Sequence, residues 1–178
     1  MPHRKRLYVL RHAKSSWDDP GMDDHDRPLA PRGRRAVKVL NQHFRDQHIA
    51  PELVICSTSR RTRETLEGVD PGGETSIEPE LYAASAKDLL ARLRRVPAQT
   101  GSVMVIGHNP AMQLLVLRLA GGQTRVREGS DFAAVQQKFP TGALATLTFA
   151  CAWSELSPGS AELTGYARPK AIARQLSK

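Results

Sequence analysis

The stretch Leu7-Tyr8-Val9-Leu10-Arg11-His12-Ala13-Lys14-Ser15-Ser16-Trp17 passes in one step from an apolar run to basic, imidazole and hydroxyl side chains. Four apolar residues without interruption suit a strand buried on both faces of a parallel sheet. Leu53-Val54-Ile55-Cys56 and Val103-Met104-Val105-Ile106 repeat the pattern. Helical periodicity fills the intervals. Gly33 to Phe44 places Ala36, Val37, Leu40 and Phe44 on one face, and a shorter helix falls near Thr62 to Val69. Ala86 to Val96 carries a stripe of Leu89, Leu90, Leu93 and Val96, and Met112 to Ala120 is apolar nearly all round, hence buried.

Strands separated by helices predict β-α-β units, and so an α/β three-layer sandwich with a mostly parallel central sheet flanked by helices. Ala143 to Thr148 alternates as a further strand, and Glu162 to Ile172 adds a last strand or covers an edge. Pro20-Gly21 and Pro71-Gly72-Gly73 punctuate loops, and Gly121-Gly122 closes the fourth helix. With no internal repeat and no long linker, residues 1–178 read as a single domain.

A chain of 178 residues with 40% hydrophobic and 25% charged residues has the composition of a globular protein and not of a disordered tail. Its net charge of +8 raises the possibility of a nucleic-acid partner. The arginines are strewn along the whole chain, however, and aromatic residues, at 5%, never interleave with them as base-stacking platforms require. The reading is therefore no nucleic acid. Cys56 and Cys151 lie far apart in apolar surroundings without ligand spacing and read as core thiols, which fits a reducing cytoplasmic compartment. Arg11 stops the first apolar run too early for a signal peptide, and no stretch approaches a membrane span.

In an open parallel sheet, ligands bind beyond the carboxyl ends of the strands. After the three apolar runs come Arg11-His12-Ala13-Lys14-Ser15-Ser16-Trp17, Ser57-Thr58-Ser59-Arg60-Arg61-Thr62 and Gly107-His108-Asn109-Pro110. Together they predict a cationic rim holding two imidazoles and no thiol. Arginine forks and an imidazolium are what a phosphoryl group in transfer needs around its oxygens, and a neutral imidazole can attack phosphorus.

The first segment resembles the Arg-His-Gly signature of the histidine phosphatase superfamily, which includes phosphoglycerate mutases and acid phosphatases. Arg27-Pro28-Leu29 with Gly33, Cys56-Ser57 followed by Arg61, and Gly107-His108-Asn109-Pro110 resemble more narrowly the short SixA-type phosphohistidine phosphatases. The resemblance runs from Leu7 to Thr148 and implies a phosphoglycerate mutase-like fold. It makes His12 the nucleophile and Arg11, Arg61 and His108 the binders of phosphoryl oxygens, with His108 donating from its protonated form. Arg61 is preferred to Arg60 because the family's arginine falls four residues after the serine that ends the strand. Ser15 and Ser16 fall where the family places polar residues near substrate; Lys14 reads as a rim charge and Asn109 as a cap.

Two departures matter. Ala13 stands where the signature has glycine, so the backbone there must accept a side chain. The family's general-acid glutamate has no aligned counterpart; Glu80 is the candidate, with Glu78, Asp18 and Asp19 as rivals. An ester's alkoxide leaving group needs that proton more than the imidazole of a phosphohistidine does. The expectation is thus a phosphatase needing no cofactor and no metal, acting on phosphorylated protein, with a phosphomonoesterase or sugar-phosphate phosphatase, a small phosphorylated substrate, and a non-catalytic phosphoprotein-binding module as alternatives. A mutase would need a closed site. No membrane partner is expected, and the sequence leaves the oligomeric state open.

Overall fold

In the computed structural model, which describes residues 3–122 and 126–178, six strands form one sheet in the order β3-β2-β4-β1-β5-β6. The strands are β1 (Lys5–Arg11), β2 (Leu53–Ser57), β3 (Glu74–Glu78), β4 (Ser102–Gly107), β5 (Leu144–Phe149) and β6 (Glu162–Ala167). Strands β1 to β4 run parallel, while β5 is antiparallel to β1 and β6 antiparallel to β5. The sheet is thus mixed, with the parallel part carrying the three segments singled out above.

The helices are α1 (Pro31–Asp46), α2 (Arg60–Val69), α3 (Ala86–Leu93), α4 (Ala111–Ala120), α5 (Asp131–Gln137) and α6 (Pro169–Leu176). Alternate residues of β1 feed opposite layers, as the two-residue period of a strand requires. Leu7 and Val9 join Leu89, Leu93, Met112, Leu115 and Leu119 under α3 and α4. Tyr8 and Leu10 join Val37, Leu40, Phe44, Val69 and Ile172 under α1, α2 and α6. Cys56 is fully buried, but Cys151 is half-buried and so is not the core thiol expected. Helix α5 carries one fully buried residue, Val135, which is why no periodicity announced it. Among the described residues, no helix is long and apolar enough to cross a membrane.

What aligns the site is the register of β1 and β4: Arg11 lies opposite Gly107, so His12 and His108 leave neighbouring strands at the same level. The His12 N–H donates to the Gly107 carbonyl at 3.1 Å, continuing the ladder one residue past the strand. Ala13 is fully buried, is absent from the positive-φ positions, and donates its N–H to Thr65 Oγ1 at 3.0 Å. A side chain is therefore accommodated where the signature has glycine.

Gly33 has a steric role. It sits in the first turn of α1 against the loop that follows β1, and a Cβ there would stand 2.1 Å from the Lys14 carbonyl oxygen. That oxygen also accepts the Ala30 N–H at 2.9 Å. Gly33→Ala is expected to cost about 2 kcal/mol, as overpacking against backbone does, and to lower the Tm by roughly 4–8 °C. Thermal unfolding checks this; an unchanged Tm would show that the loop gives way freely.

Candidate active site

His12 is buried, and its Nδ1 lies 2.7 Å from the Ala13 carbonyl. A carbonyl only accepts, so Nδ1 carries the proton and Nε2 the lone pair. Nε2 makes no hydrogen bond within the described protein. Burial is the largest cause lowering this imidazole to a pKa of about 3, followed by His108, Arg61 and Arg11, with the Ala13 carbonyl pulling the other way. The cations do act in the expected direction, but desolvation acts more strongly.

The His108 ring centroid is 5.4 Å from that of His12. Its Nδ1 faces the Arg61 guanidinium at 3.5 Å, and its Nε2 lies 2.9 Å from Ser57 Oγ. Because arginine only donates, Nδ1 is the acceptor and Nε2–H donates to Ser57. Burial and then Arg61 lower its pKa to about 4, so without an anion His108 is neutral at pH 7. The two histidines hold opposite tautomers.

Arg61 comes from the buried first turn of α2, whose Ser59 side chain accepts the Thr62 N–H. Its guanidinium donates to the Asp24 carbonyl at 2.7 Å and to Asp24 Oδ2 at 3.1 Å. Arg60 instead points outward to Glu64 at 3.6 Å, so Arg61 is the inward arginine of the pair. Arg11 donates to the Phe139 carbonyl at 3.0 Å. The Nε–H groups of both Arg11 and Arg61 are buried without an acceptor. The donor left free for an anion is the terminal Nη2 of half-buried Arg11, which makes no hydrogen bond with the described residues, and the two guanidiniums together favour negative charge beside them.

An uncharacterised protein of Mycobacterium tuberculosis is 35% identical over 164 residues, covering 90% of this chain and all of that one. The family model of the histidine phosphatase superfamily (branch 1) matches residues 7–84. A chain assigned as phosphohistidine phosphatase SixA from Nakamurella multipartitia superposes with a TM-score of 0.81 at 30% identity, covering 93% of this chain and 96% of that one. The chain belongs to the histidine phosphatase superfamily. Phosphohistidine phosphatase SixA of Escherichia coli is a more distant relative, 26% identical over 125 residues and covering 67% of this chain and 76% of its own.

Within this superfamily member, the remaining predicted residues fall in different places. Ser15 is buried and its Oγ accepts from Arg27 at 2.8 Å, while Ser16 Oγ accepts the Asp18 N–H at 3.1 Å. Both brace the loop. Asn109 Oδ1 accepts the Gln113 N–H at 3.2 Å, as a cap, and its amide donates to the Phe139 carbonyl at 3.0 Å. Glu78 is held by Arg92 at 2.7 and 2.9 Å, which lowers its pKa. Glu80 is exposed in the 3-10 turn Pro79–Leu81 and makes no hydrogen bond or ion pair with the described residues.

The carboxylate that does join the cluster is Asp24, which sequence reasoning missed. Besides Arg61 it receives the Tyr82 hydroxyl on Oδ2 and Arg27 Nε on Oδ1 at 3.1 Å. The Tyr82 hydrogen bond, then Arg61 and Arg27, lower its pKa to about 2 against an opposing effect of burial. The Tyr82 ring packs edge-on against His108, centroids 5.5 Å apart. Arg27, itself buried, stacks under the exposed Trp17 at 3.5 Å. The spacing Asp24-x-x-Arg27 before Pro28-Leu29 was the available signal. Among the described residues, no group of three or more His, Cys, Asp or Glu could hold a metal.

Nitrogen-15 NMR at pH 5.5 is expected to show His12 neutral with its proton on Nδ1 and His108 neutral with its proton on Nε2; an imidazolium at position 12 would contradict the geometry. Stability has a matching pH dependence. His12 titrates near 3 in the fold against 6.5 ordinarily, so on acidification the unfolded chain takes up the proton first. Its contribution is whole above pH 6.5 and is lost progressively between about 6.5 and 3. Urea unfolding should therefore give about 2 kcal/mol less stability at pH 5 than at pH 7.5 from this residue, a difference that shrinks by that amount in His12→Gln.

Proposed function

We propose that this chain, working as one domain over residues 1–178, is a metal-independent cytoplasmic phosphatase. It takes a phosphoryl group onto His12 Nε2 and passes it to water, with protein phosphohistidine as its substrate. The observation that carries the reading is a buried neutral imidazole whose only protein-bound nitrogen is Nδ1, set beside Arg11, Arg61 and His108. In the first step the Nε2 lone pair bonds phosphorus as the substrate's P–N bond breaks, and the departing imidazole takes up a proton from solvent water. In the second, water attacks phosphorus, gives up a proton to solvent and the Nε2–P bond breaks, giving inorganic phosphate and neutral His12.

The surrounding residues have separate tasks. Arg11, whose Nη2 has no partner among the described residues, and Arg61 donate to the phosphoryl oxygens through their terminal N–H groups. Burial and then the Arg61 charge keep His108 neutral, and an arriving dianion opposes both, so the ring is then able to gain a proton and donate. Asp24 fixes the Arg61 fork and is itself held ionised, so it has no proton for a leaving group at neutral pH. Glu78 is tied to Arg92. Neither of these two carboxylates is a poised acid, which supports a leaving group that needs little help, as an imidazole does and an alkoxide does not. The similarity to chains described as SixA supports the same substrate class.

A phosphohistidine peptide should be turned over with a kcat/KM at least 100-fold above those of aryl and sugar phosphates, unchanged by EDTA. His12→Ala should lower it by 10³ or more, in keeping with loss of a nucleophile. If esters are faster, and Glu80→Ala abolishes that activity, the enzyme is a phosphomonoesterase instead. Phosphopeptide binding without turnover would make it a binding module.

A further inference from the structure

A groove of about 640 Å³ lies between α1, α6 and the loop 138–141. Lys14, Arg32 and Arg35 line it from the nucleophile loop and α1, and Lys138, Arg168, Lys170 and Arg174 from the loop and the α6 segment. No Asp or Glu lines it. None of these seven head groups forms an ion pair or hydrogen bond with the described residues, whereas Arg27, Arg60, Arg61 and Arg92 each hold a carboxylate. Like charges gathered without counter-charges repel one another, and a polyanion in the groove would relieve that repulsion. Between the charges, Ala36 and Val39 of α1 and Pro169 and Ala173 of α6 supply apolar surface.

The groove shares its walls with the active site. Lys14 follows Ala13, whose carbonyl holds the His12 ring. The Phe139 carbonyl, between Lys138 and Pro140, accepts from Arg11, and the Gly142 N–H donates to the His12 carbonyl at 2.9 Å. A chain seated there would run toward the nucleophile loop. No aromatic side chain lines the groove, so bases would find no stacking surface. An acidic polypeptide with interspersed apolar side chains matches both the charge and the apolar patches.

We infer that this groove docks an acidic segment of the phosphorylated protein partner, adjacent to the phosphorylated residue. The inference rests on the phosphatase reading for the identity of that partner. It explains how a shallow chemical specificity for a phosphoryl group becomes selection among phosphorylated proteins.

The test uses two phosphohistidine peptides of equal length with common apolar residues, one bearing Asp and Glu and the other Asn and Gln. The wild-type protein is expected to favour the acidic peptide about tenfold in kcat/KM, through KM. Arg35→Glu combined with Arg174→Glu, both exposed and outside the His12 cluster, should remove the preference while leaving kcat and the turnover of phosphoramidate unchanged. Equal use of both peptides by wild type, or a preference that survives the double variant, would overturn the inference. A fluorescein-labelled, unphosphorylated acidic peptide supplies an arm independent of catalysis. It should bind wild type and bind the double variant at least tenfold more weakly, even if no phosphoryl compound is turned over; that outcome would sink the phosphatase reading and keep the groove. Absence of binding, or equal displacement by a single-stranded oligonucleotide of the same charge, would overturn the acidic-segment assignment.

Discussion

The hydrogen bond from His12 Nδ1–H to the Ala13 carbonyl fixes the tautomer on which the proposed chemistry turns. It makes Nε2 the lone-pair nitrogen and fixes the ring's orientation through a bond to its own neighbour in sequence. That bond needs a backbone held still on both sides. The His12 N–H is tied to Gly107, the Ala13 N–H to Thr65, and the Lys14 carbonyl to Ala30 over a glycine in α1 that leaves room for it. The strand, two helices and the loop therefore converge on three consecutive residues.

Around this nitrogen the imidazoles are neutral and the guanidiniums positive, the arrangement that the proposed transfer requires. Burial keeps both imidazoles uncharged, and Arg61 reinforces this in each. Asp24 offsets Arg61 from the far side without approaching protonation itself. Tyr82 links the two halves, donating to Asp24 and packing against His108. Removing Asp24 would thus disturb the arginine fork as well as a local charge.

His12, Arg61 and His108 were legible in the sequence because each follows an apolar strand, and strand ends gather at one rim in a parallel sheet. Asp24 and Tyr82 were not, because they come from short 3-10 turns that carry no periodic pattern, and Arg27 was marked only as part of the Arg27-Pro28-Leu29 resemblance, with no role attached. Strand β3, Glu-Thr-Ser-Ile-Glu, lies at a sheet edge with no apolar run to mark it. The reversed direction of β5 was hidden for a different reason: alternation shows that a strand exists and says nothing of which way it runs. The basic surplus gave little by itself, yet in the fold seven of the 26 Lys and Arg side chains line a single groove beside the loop that follows β1.

The central claim is that phosphorus is carried on Nε2 of His12. Protein mixed with a labelled phosphohistidine donor, quenched at alkaline pH and mapped by mass spectrometry and phosphorus NMR, should yield an acid-labile phosphoryl group on that nitrogen, absent in His12→Ala. Label on another residue, or label undiminished in the variant, would contradict it.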